Sequence, residues 1–241
     1  MSSEDVQSDM VVPDATLGRN FERPALPGMT LSTKALVWGD KEPGSIEPGT
    51  KLLSAELRSE VVREGKHRCY FCGFPSQSLQ IHNLNHNHQD VRKDNLRAVD
   101  SLCHGWQHLG ELGAGNAFIG YLPGLVAQDV NNLQRCILVA LETGDESTKA
   151  DAKKLLNWLA SHRQYTEAAW GTFEPSVFAN ALVRVEGVGV DVHGVVFRDL
   201  AVIFNPGAYS ANANQWAHDA YKSTPTALWP NVYHDIINAP S

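Results

Sequence analysis

The sequence predicts an α+β fold in which a small metal-stapled core carries added helices and a small C-terminal β or irregular region. Three observations predict it. The stretch from His67 to Leu109 gathers three of the four cysteines and six of the ten histidines, with Cys69 and Cys72 spaced as a Cys-x-x-Cys knuckle and Cys103 following. Apolar residues recur at helical spacing in several long segments outside that stretch. Between those segments lie short alternating or apolar runs bounded by glycine, proline and asparagine, which read as strands.

Taken in order, residues 1–50 are rich in Ser, Asp, Glu, Pro and Gly, with apolar residues scattered without period, and are expected to form a flexible arm. Within it, Leu36 to Trp38 is an apolar island suited to an edge strand or a partner-binding peptide. A zinc core is expected over 51–115. Leu52, Leu53, Leu57, Val61 and Val62 share one helical face, and Gly65 stops that helix just before the knuckle. Ser78 to His82 alternates like a strand, Asn85 to Lys93 reads as a polar loop, and Asp94-Asn95-Leu96 begins a new turn. A helix is expected from Cys103 to Leu109, broken by Gly110, Gly113 and Gly115.

Helical and β additions are expected over 116–223. Phe118 to Leu122 reads as a strand closed by Pro123. Val126 to Thr143 carries Val130, Leu133, Ile137, Ala140 and Leu141 on one face and ends at Gly144. A second helix starts at Ser147 and continues towards Trp170, and a third covers Pro175 to Val185. Val188, Val190 and Val192 alternate with polar residues, Leu200 to Phe204 is a compact apolar run, and Asn214 to Tyr221 reads as a short helix. Residues 224–241, with three prolines, form the expected tail.

The formal charge of −7 and pI near 5.8 argue against a nucleic-acid partner, because phosphate binding draws on a basic face. No stretch approaches the ~20 apolar residues that span a bilayer, and no apolar leader is visible, so the expected location is the cytoplasm. Few cysteines, two of them in a knuckle, suit a reduced compartment and a metal better than a disulfide framework.

The Cys69/Cys72 knuckle follows a helix and precedes Gly73, the reverse of a thioredoxin-type redox pair, which points to structural Zn²⁺. Cys103 supplies a third thiolate. A second Cys-x-x-Cys would place its partner at Trp106, which cannot ligate. The fourth ligand is then His104, His108, a residue of the histidine-rich strand or water; His108 is the expected one, with His104 as the alternative. Cys136, at helical spacing from Leu133 and Ala140, reads as a buried apolar residue.

The layout of knuckle, strand, Asp94-Asn95-Leu96 step and third cysteine resembles the treble-clef ββα-metal unit of the HNH endonucleases. That resemblance implies a general base at the second residue of a His-His or Asp-His pair, matched here by His82-Asn83. It matches the middle Asn of the signature to Asn95 and the closing metal-binding His to Gln107. An amide has no useful basicity near neutral pH, so Asn83 cannot take a proton from water, and His82, Asn83, Asn95 and Gln107 read as vestigial nuclease positions. No enzymatic activity is expected.

Further matches extend from about Leu52 to Trp216. Cys69-Tyr70-Phe71-Cys72-Gly73-Phe74, His82-Asn83-Leu84-Asn85-His86-Asn87, Tyr121-Leu122-Pro123 ahead of Asp129, Arg163-Gln164 before Pro175-Ser176-Val177-Phe178, and Phe204-Asn205-Pro206 with Trp216 resemble the IcmJ (DotN) family. That family belongs to coupling complexes of type IVB (Dot/Icm) secretion systems and related conjugation machines. The resemblance implies a non-catalytic zinc-bearing scaffold. It would dock on the cytoplasmic C-terminal tail of the coupling ATPase, beside acidic adaptor proteins, at the inner face of the inner membrane. The alternative expectation is an HNH-type metal-dependent endonuclease or DNA-binding factor in conjugative transfer. Trp106 departs from the family's second knuckle, and the arm is longer.

Overall fold

The computed structural model describes residues 26–33, 53–88, 90–184 and 196–238. Among these residues the chain is mixed α+β and mostly helical, with two small antiparallel sheets. The apolar island at Leu36–Trp38 and the alternating valines 188–192 lie outside the described residues.

Helix α1 (Ala55–Glu64) is capped by the Ser54 side chain, which accepts from the Leu57 amide, and it buries Val61 against the first sheet. Strand β1 (Gln80–Asn83) pairs antiparallel with β2 (Leu96–Val99), in register Gln80 to Val99 and Asn83 to Leu96. The turn expected at Asp94-Asn95-Leu96 is thus a brief 3-10 turn that leads directly into a strand. Asp100 then caps α2 (Ser101–Trp106) by accepting from the Leu102 amide, so this helix starts two residues before the expected Cys103.

The second sheet pairs β3 (Ala117–Tyr121) with β4 (Leu200–Phe204) antiparallel, joining strands that are far apart in the sequence. Both outer edges are closed. On β3, the Ile119 amide donates to the Phe173 carbonyl and the Tyr121 amide to that of His162. On β4, Gln134 stands in for a strand: its Oε1 accepts from the Phe204 amide at 2.8 Å and its Nε2 donates to the Val202 carbonyl at 2.9 Å. A two-stranded sheet with open edges would be a template for aggregation, and these contacts remove that risk. Gln134→Leu should strand two buried backbone groups at roughly 1–3 kcal/mol each, read as a lower urea midpoint with an unchanged slope.

Helix α3 (Ala127–Thr143) packs against α2, β4, α4 (Glu146–Ser161) and α7 (Pro206–His218). The long helix expected through Trp170 is broken at His162, giving α4 and α5 (Arg163–Trp170). His162 turns its ring and carbonyl to the β3 edge, with Nδ1 2.7 Å from the Tyr121 carbonyl. Helix α6 (Pro175–Arg184) follows as expected.

Helix α7 begins eight residues before the expected Asn214. Asn205 caps it, and Pro206 sits where a missing N–H costs nothing, so the pair that closes β4 also opens a helix. The expected tail contains α8 (Trp229–Asn238), because Pro230 falls in a first turn that tolerates proline. Within the expected arm, residues 26–33 pack on the core. Met29 and Leu31 are buried, the Ser32 amide donates to the Trp106 carbonyl, and the Leu109 amide returns to the Ser32 carbonyl. No described helix is long and apolar enough to cross a membrane.

Two candidate metal centres

The knuckle is shaped by its backbone. The Cys69 amide donates to the Phe74 carbonyl, the Gly73 amide returns to Cys69, and the Tyr70 amide donates to Ala98 of β2. Gly73 has φ +71°, a left-handed conformation that a Cβ would strain. This turn points Cys69 and Cys72 at Cys103 on α2. The three sulfurs lie within 4.8 Å of one another, the spacing needed to share one ion.

Helix α3 closes the thiol cluster. Asn131 Nδ2 donates to Cys103 Sγ at 3.3 Å, and Asn131 Oδ1 accepts from Trp106 Nε1 at 2.8 Å. Trp106, at the position where a second knuckle would carry cysteine, therefore orients the amide that faces a sulfur. Arg135 lies 3.7 Å from Cys72 Sγ, pairs with Asp100 Oδ1 at 2.8 Å, and stacks over the Phe74 ring at 3.8 Å.

The electrostatics favour a metal-ready state. Hydrogen bonds from the Cys103 and Cys69 thiols, with the Arg135 charge, push the Cys72 thiol down to about 2. Burial pushes Cys69 up to about 12, and shared hydrogen bonds with Cys69 and Cys72 raise Cys103 well above its ordinary value. A divalent ion held by all three sulfurs would displace the protons that remain on them. Three sulfurs, a cation and an amide donor around them fit a borderline-soft metal.

The expected fourth ligand is not in this cluster. His108 and His104 instead join His82 in a second group, whose ligand atoms also lie within 4.8 Å of one another. The cause is helical phase: Cys103 and His104 are successive residues, about 100° apart around α2, so one faces α3 and the other faces β1. His108 lies two residues past the end of α2 with φ −138° and ψ 50°, and that turn brings its ring back beside His104.

Ring centroids in the second group are 5.5 Å apart for His82–His104, 5.4 Å for His82–His108 and 4.4 Å for His104–His108, with His86 5.3 Å from His82. Gln80 Oε1 lies 2.6 Å from His104 Nδ1, and Glu111 Oε1 lies 3.8 Å from His108 Nδ1. An acceptor at hydrogen-bond distance, as Gln80 is for His104, fixes the ring orientation of a metal-binding histidine and leaves its other nitrogen for an ion. Three imidazoles without a thiolate could hold a divalent ion of the zinc, nickel or copper type.

The remaining expected positions have structural partners. Asn83 Nδ2 donates to the Asp90 carbonyl at 3.0 Å. Asn95 accepts from the Asn85 amide and donates to Asn85 Oδ1 and the Asp90 carbonyl, tying down the loop between the strands. Gln107 Nε2 donates to the Thr30 carbonyl and anchors the segment 26–33. Cys136 joins neither cluster and lies 3.7 Å from the Tyr221 hydroxyl.

Sequence reasoning missed Asn131, Arg135 and the grouping of His82 with His104 and His108. Signals existed for both: the His-x-x-x-His spacing after a cap, and two polar residues four apart beside Val130 and Leu138. No protein-family model and no curated protein matches the chain.

Proposed function

We propose that the chain is an HNH-like ββα-metal module that works as a non-catalytic, zinc-stapled scaffold for protein binding. Cys69, Cys72 and Cys103 would hold Zn²⁺, which supplies a cross-link between the knuckle and α2. The observation that carries this reading is Asn83: at the place of the general base stands an amide, buried and donating to the Asp90 carbonyl. The resemblance to the IcmJ (DotN) family gives the scaffold its setting, a type IVB secretion or conjugation coupling complex in the cytoplasm. There it would dock the tail of the coupling ATPase beside acidic adaptors, at the inner face of the inner membrane. Immobilised ATPase tail should capture the purified chain at micromolar protein, and absence of capture would overturn the assignment.

The grouping of His82, His104 and His108 favours a second reading, a metal-dependent endonuclease or DNA-binding factor. Three histidines with open positions are a donor set that can activate water. His86, beside His82, is the nearest imidazole for a base. Plasmid cleavage with Mg²⁺, Mn²⁺, Ni²⁺ or Zn²⁺ that disappears in His108→Ala would establish it, and DNA binding alone would fall steeply with salt. Intact plasmid across these metals, with no binding, disposes of it.

A further inference from the structure

A groove of about 710 Å³ opens between α1, the back of the knuckle and β2. Its floor is apolar, with Val61, Leu96 and Ala98, and Leu26 closes one side. Its rim is cationic. Arg68 donates through Nη1 to the Gly73 carbonyl at 3.0 Å, and Arg97 donates through Nη1 to the Asp94 and Leu96 carbonyls. Arg97 also lies over the Tyr70 ring, 5.3 Å from its centroid. One terminal nitrogen of each guanidinium thus holds the side chain in place, and a guanidinium has five N–H donors in all. Lys93, also on the rim, pairs with Glu60 and with the lining residue Glu64, which together outweigh its charge and leave Arg68 and Arg97 as the cations that give the rim its sign.

We infer that this groove docks an acidic peptide segment with an apolar anchor, the anchor on the Val61–Ala98 floor and the carboxylates on Arg68 and Arg97. The inference rests on reading the chain as a protein-binding module and assigns that module a surface. Charge complementarity selects the occupant: the rim is basic in a chain whose total charge is −7. A duplex or long single strand would need a basic track beyond the groove and would meet Glu60 and Glu64 on its border. A short acidic peptide needs only the two arginines and the floor. Arginine suits this role because its planar fork meets carboxylates in two parallel hydrogen bonds.

The test uses two pools of fluorescent short peptides, leucine- and phenylalanine-centred, one flanked by aspartate and glutamate and the other by lysine and arginine. A single-stranded oligonucleotide runs beside them. The full chain should bind the acidic pool, weaken with salt, and lose at least about tenfold in affinity in the Arg68→Glu/Arg97→Glu variant. Because Arg68 also ties the knuckle turn, Arg97→Glu alone is measured too, with metal content and thermal midpoint as checks on folding. The inference is overturned by equal binding of the basic pool, by preference for the oligonucleotide, by no binding of the acidic pool, or by variants that bind it unchanged. Capture on the ATPase tail is measured in parallel. Acidic-pool binding without tail capture removes the coupling-complex assignment alone, whereas tail capture without acidic-pool binding removes the groove alone.

Discussion

With Zn²⁺ held by the three thiols as proposed, Cys103→Ala should lose it and lower the thermal midpoint by roughly 8–16 °C. The size follows from mass action: metal at about a thousand times its dissociation constant contributes ~4 kcal/mol, and each kcal/mol moves a domain of this size by about 2–4 °C. Cys103 is the chosen position because it is the one thiol of the cluster that lies outside the knuckle, buried on α2. Its loss leaves Cys69 and Cys72 on one loop with nothing to tie them to the helix. Chelator treatment of the wild type should reproduce the shift, while Cys136→Ala should keep the metal. Metal analysis of the purified variants with differential scanning calorimetry checks all three. An unchanged midpoint in Cys103→Ala would show that apolar packing alone holds the knuckle on α2.

That experiment separates what was legible in the sequence from what was not. The cysteine cluster was legible because knuckle spacing is local: two thiolates three residues apart need one turn to converge. Helix α3 was legible because its apolar stripe runs over four turns. The grouping of His108 with His82 and His104, apart from the thiols, was not legible because it depends on the turn that follows a six-residue helix whose start is set by Asp100. Strand β2 reads Leu-Arg-Ala-Val, too short and mixed to declare itself, and it is a strand because β1 and the knuckle supply its partners. Helix α8 was hidden by prolines that mark a tail as readily as a first turn. Gln134 sits inside the apolar stripe of α3, with Asn131 and Arg135 beside it; their polarity is visible in the sequence, but their partners, β4 and two sulfurs, come only from the tertiary fold.

Arg135→Met should cost about 3–5 kcal/mol, the largest effect expected for a residue that holds no metal itself. Arg135 and Asp100 are both buried, 2.8 Å apart, and Asp100 also caps α2. Burial works against both charges. It pushes the Asp100 carboxyl up, with Arg135 opposing the shift, and it would lower Arg135 were Asp100 and Cys72 not holding it up. Removing the guanidinium leaves the Asp100 carboxyl in a dry site without its counter-charge. The double variant Arg135→Met/Asp100→Asn should recover much of the loss, since asparagine still caps α2 and no charge is left behind. Urea denaturation of the two single variants and the double completes the cycle. A double variant no more stable than Arg135→Met would mean that Arg135 acts through its stacking on Phe74 and Trp216, not through Asp100. The same side chain also faces Cys72, so Arg135→Met should release metal more readily than the Gln134→Leu variant one residue away. That contrast ties the pair to the thiol cluster and distinguishes its charge from general packing of α3.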